Sequence, residues 1–573
     1  MPLVNASVAV IFEEIADLLD IQGANPFRIR AYRNAAQTIG TLGTDLRTLL
    51  ERGTELTDLP GIGDDLAAKV REILDTGKCR MLEKLHKQVP PAVTELLRIP
   101  GLGPKRVRTL WQELDLNTVE QLLRAAKDGR IRGLHGFGPK TEAKILASAQ
   151  TYLSASKRHK LSVAARYGEQ IVAYLRSVAG VVQVEIAGSF RRMRETVGDL
   201  DVLVTARPDS PVMDRFVKYE DVQEVVASGA ARGTVILRSG MQVDLRVVPE
   251  ESFGAALMYF TGSKAHNIAL RRIAQDKDLK LNEYGLFRDR ETVAGRSEES
   301  VYKALGLPWI PPELREDHGE IEAARAGTLP ELVTLADLKG DLHMHSSASD
   351  GHASIEAMAR AAREHGLEYC AVTDHSRRLT VAHGLDSVRL RKQAAEIGRL
   401  NERLEGITIL SGIEVEILED GTLDLPDSVL ATLDVVIAAV HSKFELSRKR
   451  QTERVLKALG NPHVRILAHP TGRIIGEREP YDVDMQRIIR KAKAERVALE
   501  VNAHPQRLDL LDVHCRMAKE EGVLVAINSD AHGTLDFEGL RFGVGQARRG
   551  WLEKKDVLNT RRLAELEAWL RRS

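Results

Sequence analysis

AGSFRRMRETVGDLDVLV, residues 187–204, is the stretch on which the fold turns. Asp199 and Asp201 stand one residue apart inside a run of apolar and β-branched residues. Alternation along a strand places both carboxylates on one face. A third acid, Asp244, lies in QVDLRVV, a second strand-like run. Three carboxylates converging on adjacent strands repel one another unless they share divalent cations. Two Mg²⁺ ions held this way, with Mn²⁺ as a substitute, suit in-line phosphoryl transfer: one activates the attacking hydroxyl and the other accompanies a triphosphate. Upstream, Gly188 and Ser189 end an apolar run and offer an amide and a hydroxyl to phosphate oxygens, with Arg191 and Arg192 as nearby cations. An Asp-x-Asp pair alone equally suits a solvated strand or turn; the third acid and the Gly-Ser strand end narrow the reading.

Outward from this block, residues 160–315 mix strand runs (VVQVEIAG, DVLVTA, TVILRS, MQVDLRVV) with helical stretches such as ARYGEQIVAYLRSV. The succession GSFRR, GDLDVLV and VDLR is similar to the palm signature of the family X DNA polymerases, which are nucleotidyltransferases. YFTGSKAHNIALRR at 259–272, followed by LNEYGLF at 281–287, resembles that family's thumb and nucleotide-binding segment. The resemblance gives Asp199, Asp201 and Asp244 the metal-ligand roles, and Gly188, Ser189 and Arg192 the triphosphate. Tyr259, Phe260 and Gly262 would form the backbone step that excludes a ribose 2′-hydroxyl. Asn267 and Arg271 would touch the incoming dNTP or the minor groove, and Lys264 stands where eukaryotic relatives carry an acid. Two departures stand out: Met193 replaces a glycine after the paired arginines, and Gln242 stands where relatives often carry an arginine orienting the third Asp.

Residues 1 to about 155 read as short amphipathic helices, with a core stripe at Val8, Ile11, Phe12, Ile15, Leu18 and Leu19. One motif recurs: LPGIGDDLAAKV at 59–70, IPGLGPKRVRTL at 99–110 and LHGFGPKTEAKIL at 134–146. Its paired glycines are Gly61 and Gly63, Gly101 and Gly103, Gly136 and Gly138, with Lys105 and Lys140 opening the following helices. Glycine lets a turn approach another backbone closely, and the amides at the next helix start can bind a phosphate. The motif resembles the helix-hairpin-helix, whose contacts read the DNA backbone rather than its sequence. NPFRIRAYRNAAQTI and the first of these turns also resemble the small lyase domain of the polymerase β branch. There Lys69 aligns with the Schiff-base lysine, while Asp65 occupies the position of a lysine that helps bind a 5′-phosphate.

After Leu338 short apolar runs (YCAVTDH, ITILSGIEVEI, VVIAAVHS, RILAHP, ALEVNAH, VLVAINSDAH) alternate with helices, as in a βα barrel. Candidate ligands follow nearly every run: His343 and His345, Asp350, His375, Glu414, His441, His469, then Asp530 and His532. The C-terminal strand ends of a barrel share one rim, so these distant residues can converge. Six imidazoles among nine ligands favour Zn²⁺, Mn²⁺ or Fe over Mg²⁺. The order is similar to the polymerase and histidinol phosphatase (PHP) family, which implies a cluster of up to three ions and phosphoester hydrolysis. By that pattern His343, His345, Glu414 and Asp530 hold one ion, Glu414 bridges to a second with His441 and His469, and Asp350, His375 and His532 hold the third. His504 in NAH reads as a loop residue, with contact to the cluster or substrate as the alternative.

Together these readings predict a multidomain α and α/β chain. The expected boundaries are a lyase-like helical domain at 1–80, helix-hairpin-helix fingers at 81–155 and an α+β palm at 156–250. A thumb and nucleotide-selection subdomain at 251–318, a linker at 319–337 and a distorted TIM-like PHP barrel at 338–573 follow. The resemblance implies gap-filling synthesis on gapped or nicked double-stranded DNA with dNTPs, 3′→5′ exonuclease action and an accompanying abasic-site endonuclease activity, in a monomer. The zero net charge does not oppose this, because residues 101–200 hold 17 Lys and Arg against 9 Asp and Glu. Cys79, Cys370 and Cys515 are scattered without metal or disulfide spacing, which fits a reducing cytoplasm. No stretch reaches the ~18–20 apolar residues of a membrane helix, and the N-terminus lacks the basic start of a secretion signal. Two other readings stay open: a small-molecule phosphatase docked on DNA by its N-terminal part, and a non-catalytic scaffold.

Overall fold

A computed structural model of the chain describes residues 3–41, 46–51, 53–59, 61–99, 101–155 and 158–571. The chain divides into two compact units. One comprises Met1–Arg158 with Tyr219–Ala227 and Thr234–Val243; the other comprises His159–Lys218, Ser228–Gly233 and Asp244–Ser573.

In the first unit the expected stripe packs as read: Val8, Phe12, Ile15, Leu18 and Leu19 are buried in one core with the helices Pro26–Thr41, Asp64–Thr76 and Pro104–Leu114. Each Gly-x-Gly turn is built alike. Gly61, Gly101 and Gly136 take φ of 78°, 92° and 79°, a left-handed conformation that other residues rarely adopt. Gly63 and Gly103 cap the helices that follow. Between the glycines, Ile62, Leu102 and Phe137 anchor each turn in the core. Pro60 and Pro100, which precede two of these turns, lie outside the described residues.

In the second unit the strand Val181–Ile186 pairs antiparallel with Asp199–Ala206, and Asp244, the third acid, opens this unit's part of the strand Gln242–Val247. The helices Phe253–Thr261 and Lys264–Gln275 follow, then a small sheet of Lys280–Asn282, Gly285–Arg288 and Glu291–Ala294. The stretch expected to be a linker, 319–337, contains a short helix. Its helix Glu320–Ala326 buries Ile321 and Ala324, three residues apart on one face, in a core with Leu305, Ile310 and Leu314. The run of acids hid this short stripe.

Seven parallel strands then follow in simple sequential order: Gly340–Met344, Tyr369–Val372, Thr408–Glu416, Val435–Ala439, Ile466–Leu467, Ala498–Asn502 and Val525–Asn528. The Asn528 side chain accepts from the Leu342 amide, and Met344 bridges to Ala531, which nearly closes the sheet into a barrel. Alternate strand residues feed two cores, as the period of two requires. Cys370, Val436, Leu499 and Ile527 meet the surrounding helices. Tyr369, Ile437, Ala498 and Ala526 share the other core with Leu566 and Leu570 of the last helix, Leu563–Leu570.

Candidate functional site

Two clusters of ionisable residues dominate the second unit. In the first, Leu200 is buried between Asp199 and Asp201, so the two acids share the opposite face of their strand. Burial, together with the charges of Asp199 and Asp244, pushes the pKa of Asp201 up to about 7. Gly188, at φ 65°, lies so close to Asp201 that a Cβ there would sit 2.6 Å from its Oδ2, which explains the glycine. Arg232 stands 3.7 Å from Asp244 Oδ1.

The Arg192 guanidinium donates to the carbonyl of Thr261 and pairs with Glu316 at 3.1 Å. Gly262, at φ 68°, leaves room for that guanidinium, which a Cβ would approach to 3.3 Å. Asn267 donates to the Tyr259 carbonyl at 2.6 Å, so it holds the Tyr259–Gly262 step rather than projecting away from it. Arg271 donates to the Asn267 carbonyl and lies 6.0 Å from the Tyr259 ring, which stands edge-on to Phe260. Lys264 is exposed at the start of its helix, and Ser189 is half-buried beside Gly188. Arg191 is the exception to the sequence reading. Both its terminal nitrogens bind Glu298 at 2.8 Å, alongside buried Arg315, so it braces the thumb instead of offering a free cation.

The second cluster gathers all nine expected ligands at the C-terminal ends of the barrel strands. His343 Nε2 and His345 Nε2 lie 3.2 Å apart, and His345 Nε2 lies 3.1 Å from Asp530 Oδ1. Glu414 sits centrally: one oxygen is 2.9 Å from His469 and 3.2 Å from His441, the other 2.7 Å from His375 Nδ1. Asp350 lies 3.4 Å from His375 Nε2 and 3.5 Å from His532 Nε2. His469 and Asp530 hold positive φ of 27° and 53°, strain that clusters at functional positions.

The donor set fits divalent cations. Three sets of donor atoms lie within 4.8 Å of one another: His345, Asp350, His375 and His532; His343, His345 and Asp530; and His375, Glu414 and His441. Among the described residues, Nδ1 of His345, His375 and His469, Nε2 of His441 and Oε2 of Glu414 are buried without an aligned hydrogen bond. Close contact without hydrogen-bond alignment is the arrangement of atoms that share a cation. Burial, aided by the charges of His375 and His532, lowers the pKa of His345 to about 3, which keeps this imidazole neutral. Burial opposes the charge on Glu414 and Asp530, but the surrounding histidines hold both well below the usual carboxylate range.

Sequence reading missed the residues that aim these ligands. Glu500 accepts from His343 Nδ1 at 2.8 Å and from the His469 amide, and Asn528 and Asn502 fix the same carboxylate. Glu416 meets His441 Nδ1 at 2.9 Å and also binds Ser442. Arg507 lies 3.4 Å from Asp530. The signal was present in the strand periodicity: Glu414 and Glu416 share a strand face, as do Glu500 and Asn502. His504 caps its own loop by accepting from the Gln506 amide.

In the first unit the turn glycines are exposed apart from half-buried Gly138, and Lys105 and Lys140 are exposed beside them. Lys69 is paired with Asp65 one helical turn away, so that acid engages the amine itself.

Family models match along most of the chain. A helix-hairpin-helix domain covers residues 4–79, a SAM-like helix-hairpin-helix tandem 93–151, the DNA polymerase beta palm 163–249, the DNA polymerase beta thumb 256–316 and the PHP domain 341–504. The chain is 41% identical over 567 residues to the DNA polymerase/3′-5′ exonuclease PolX of Bacillus subtilis (strain 168), covering 98% of each. Against DNA polymerase lambda of Rattus norvegicus it is 28% identical over 344 residues, 54% of this chain and 56% of that one. A probable phosphatase of Thermoanaerobacter sp. (strain X514) matches 38% of the chain at 33% identity, covering 89% of the phosphatase. With the palm acids and the barrel histidines in place on one polypeptide, the chain belongs to the PolX family, family X DNA polymerases that carry a C-terminal PHP domain.

Proposed function

We propose that this protein fills short gaps in DNA at its palm and removes nucleotides from 3′ ends at its PHP barrel. The observation that carries the reading is the presence of two complete, separate acid and histidine clusters on one chain. Family membership supports both activities, since the Bacillus subtilis relative is a DNA polymerase/3′-5′ exonuclease. Both sites use divalent ions: Mg²⁺ at Asp199, Asp201 and Asp244, and Zn²⁺ or Mn²⁺, up to three ions, at the nine PHP ligands. When bound, such cations stabilise charge on phosphate oxygens and activate the attacking oxygen.

The protein's own groups do the rest. The Gly188 amide, the Ser189 hydroxyl and Arg192 grip the triphosphate. Asn267 fixes the Tyr259–Gly262 step, which lines the sugar side of the nucleotide and rejects a 2′-hydroxyl. In the barrel, Glu500 and Glu416 orient His343 and His441, and Arg507 beside Asp530 supplies a cation to a phosphate oxygen. The exposed glycine turns bind the sugar-phosphate backbone of gapped DNA without reading its sequence. Lyase activity at Lys69 is the weakest part, given its pairing with Asp65.

Gap filling on 5′-phosphorylated one-nucleotide-gapped DNA with Mg²⁺ and dNTPs tests the polymerase assignment. Incorporation by the wild type and its loss, by about 100-fold or more, in Asp244→Ala are expected. Equal incorporation by the two proteins would remove the palm from the reading. A small-molecule phosphatase is the second reading, favoured only by the PHP relatives named phosphatases; hydrolysis of phosphomonoesters with intact labelled DNA left behind would select it.

A further inference from the structure

The turn that carries Arg192 is held from the barrel. Arg549, at the end of the barrel helix Leu540–Arg549, is only 4% exposed at its side chain and makes three polar contacts. One nitrogen donates to the main-chain carbonyl of Arg192 at 2.9 Å and to Glu316 Oε1 at 3.0 Å. The other meets Asp512 Oδ2 at 2.6 Å, which fixes the guanidinium to the barrel. Glu316 in turn holds Arg192 Nε at 3.1 Å, and that arginine donates to the Thr261 carbonyl at the nucleotide-selection step. One carboxylate thus joins a barrel cation to the cation assigned to the triphosphate, while the barrel cation also fixes the backbone of the same residue.

A second contact lies on the same helix. Met193, the residue that departs from the family's glycine, keeps the left-handed turn at φ 53° despite its side chain. That side chain packs on Gly545, where an added Cβ would sit 2.4 Å from Met193 Cε and 3.1 Å from its Cβ. The glycine on the barrel side makes room for the methionine on the palm side. Within the turn Gly188–Arg194, the Arg194 amide donates to the Ser189 carbonyl at 3.1 Å.

We infer that Arg549 of the barrel is a positioning residue for the polymerase reaction, setting the orientation of Arg192 toward the triphosphate through Glu316 and the Arg192 carbonyl. This rests on the assignment of Arg192 to the triphosphate. Arg549 touches none of the nine PHP ligands, so nucleotide affinity in the palm depends on a barrel side chain that the nuclease does not use. The guanidinium suits this task because it can bind two carboxylates and a carbonyl in fixed geometry, which an ammonium cannot do.

The test is steady-state dNTP insertion on a one-nucleotide gap by the full-length wild type, Arg549→Gln, Arg549→Lys, Arg192→Ala and the Arg192→Ala/Arg549→Gln double variant. Release of nucleotide from 3′-labelled DNA is measured on the same preparations. Arg549→Gln is expected to raise KM for dNTP roughly tenfold, with kcat within about twofold of wild type, on the scale of one lost charge-assisted contact. Its 3′ hydrolysis stays at the wild-type rate, and Arg549→Lys recovers part of the loss. The double variant is no worse than Arg192→Ala alone, because the two residues act in series. Three results overturn the inference: an unchanged KM in Arg549→Gln, additive losses in the double variant, or a parallel fall of kcat and 3′ hydrolysis, which marks general unfolding. An Arg192→Ala protein with unchanged KM would instead sink the triphosphate assignment, and the inference with it.

Discussion

Single residues join parts of the chain that no sequence motif links. Met193 packs on Gly545 and Asp244 lies near Arg232, contacts whose partners lie elsewhere in the sequence and carry no motif. Glu298 makes a sharper case. Burial raises its pKa, yet hydrogen bonds from Arg191 and the charge of Arg315 outweigh this and hold it at about 2. A depressed carboxyl pKa contributes stability above the unfolded value and loses it as pH falls toward the folded one. Glu298→Gln should therefore cost about 3 kcal/mol at pH 7, and urea titrations across pH should show that deficit shrinking below about pH 4.5. A deficit that is the same at pH 7 and pH 3 would contradict the ionic origin. In the barrel, Glu500→Ala removes the acceptor that aims His343. It should slow 3′ hydrolysis about 10- to 100-fold in a label-release assay, with dNTP insertion unchanged; hydrolysis at the wild-type rate would show that Glu500 does not orient the site.

At the scale of elements, legibility follows length and periodicity. The parallel strands were readable because each is a short apolar run and all but Ala498–Asn502 lead into a ligand. The helix Glu320–Ala326 was missed because its buried stripe is one short turn among acids, too brief for a periodic signal. Glu500 and Glu416 escaped notice because an acid in a buried strand has no motif of its own. The Gly-x-Gly turns were legible in full, since a positive φ at an exposed position leaves few residues but glycine. Nothing lies within 4 Å of a Cβ added at Gly101 or Gly136, so a side chain there faces open space, where DNA would approach. Gly101→Ala and Gly136→Ala, each strained by its φ, should together weaken binding to duplex DNA of any sequence by about tenfold. Fluorescence anisotropy titration at two salt concentrations checks this; unaltered affinity would remove these turns from the DNA interface.

At the scale of the whole molecule, opposite chemistries share one chain: the palm lengthens a 3′ end and the barrel shortens it. The sequence predicted both sites but not the joint between them, since Arg549 and Glu316 are far apart in the chain and neither belongs to a motif. That joint ties nucleotide binding to the barrel without tying the two chemistries together. The direct test is turnover of a labelled correct dNTP to its monophosphate on a one-nucleotide gap with Mg²⁺ and Mn²⁺ present. Wild-type protein should insert and then release the nucleotide as dNMP. Asp244→Ala should insert nothing, and His345→Ala should insert without releasing dNMP. Loss of insertion in both variants, or dNMP release undiminished in His345→Ala, would contradict two independent active sites on this chain.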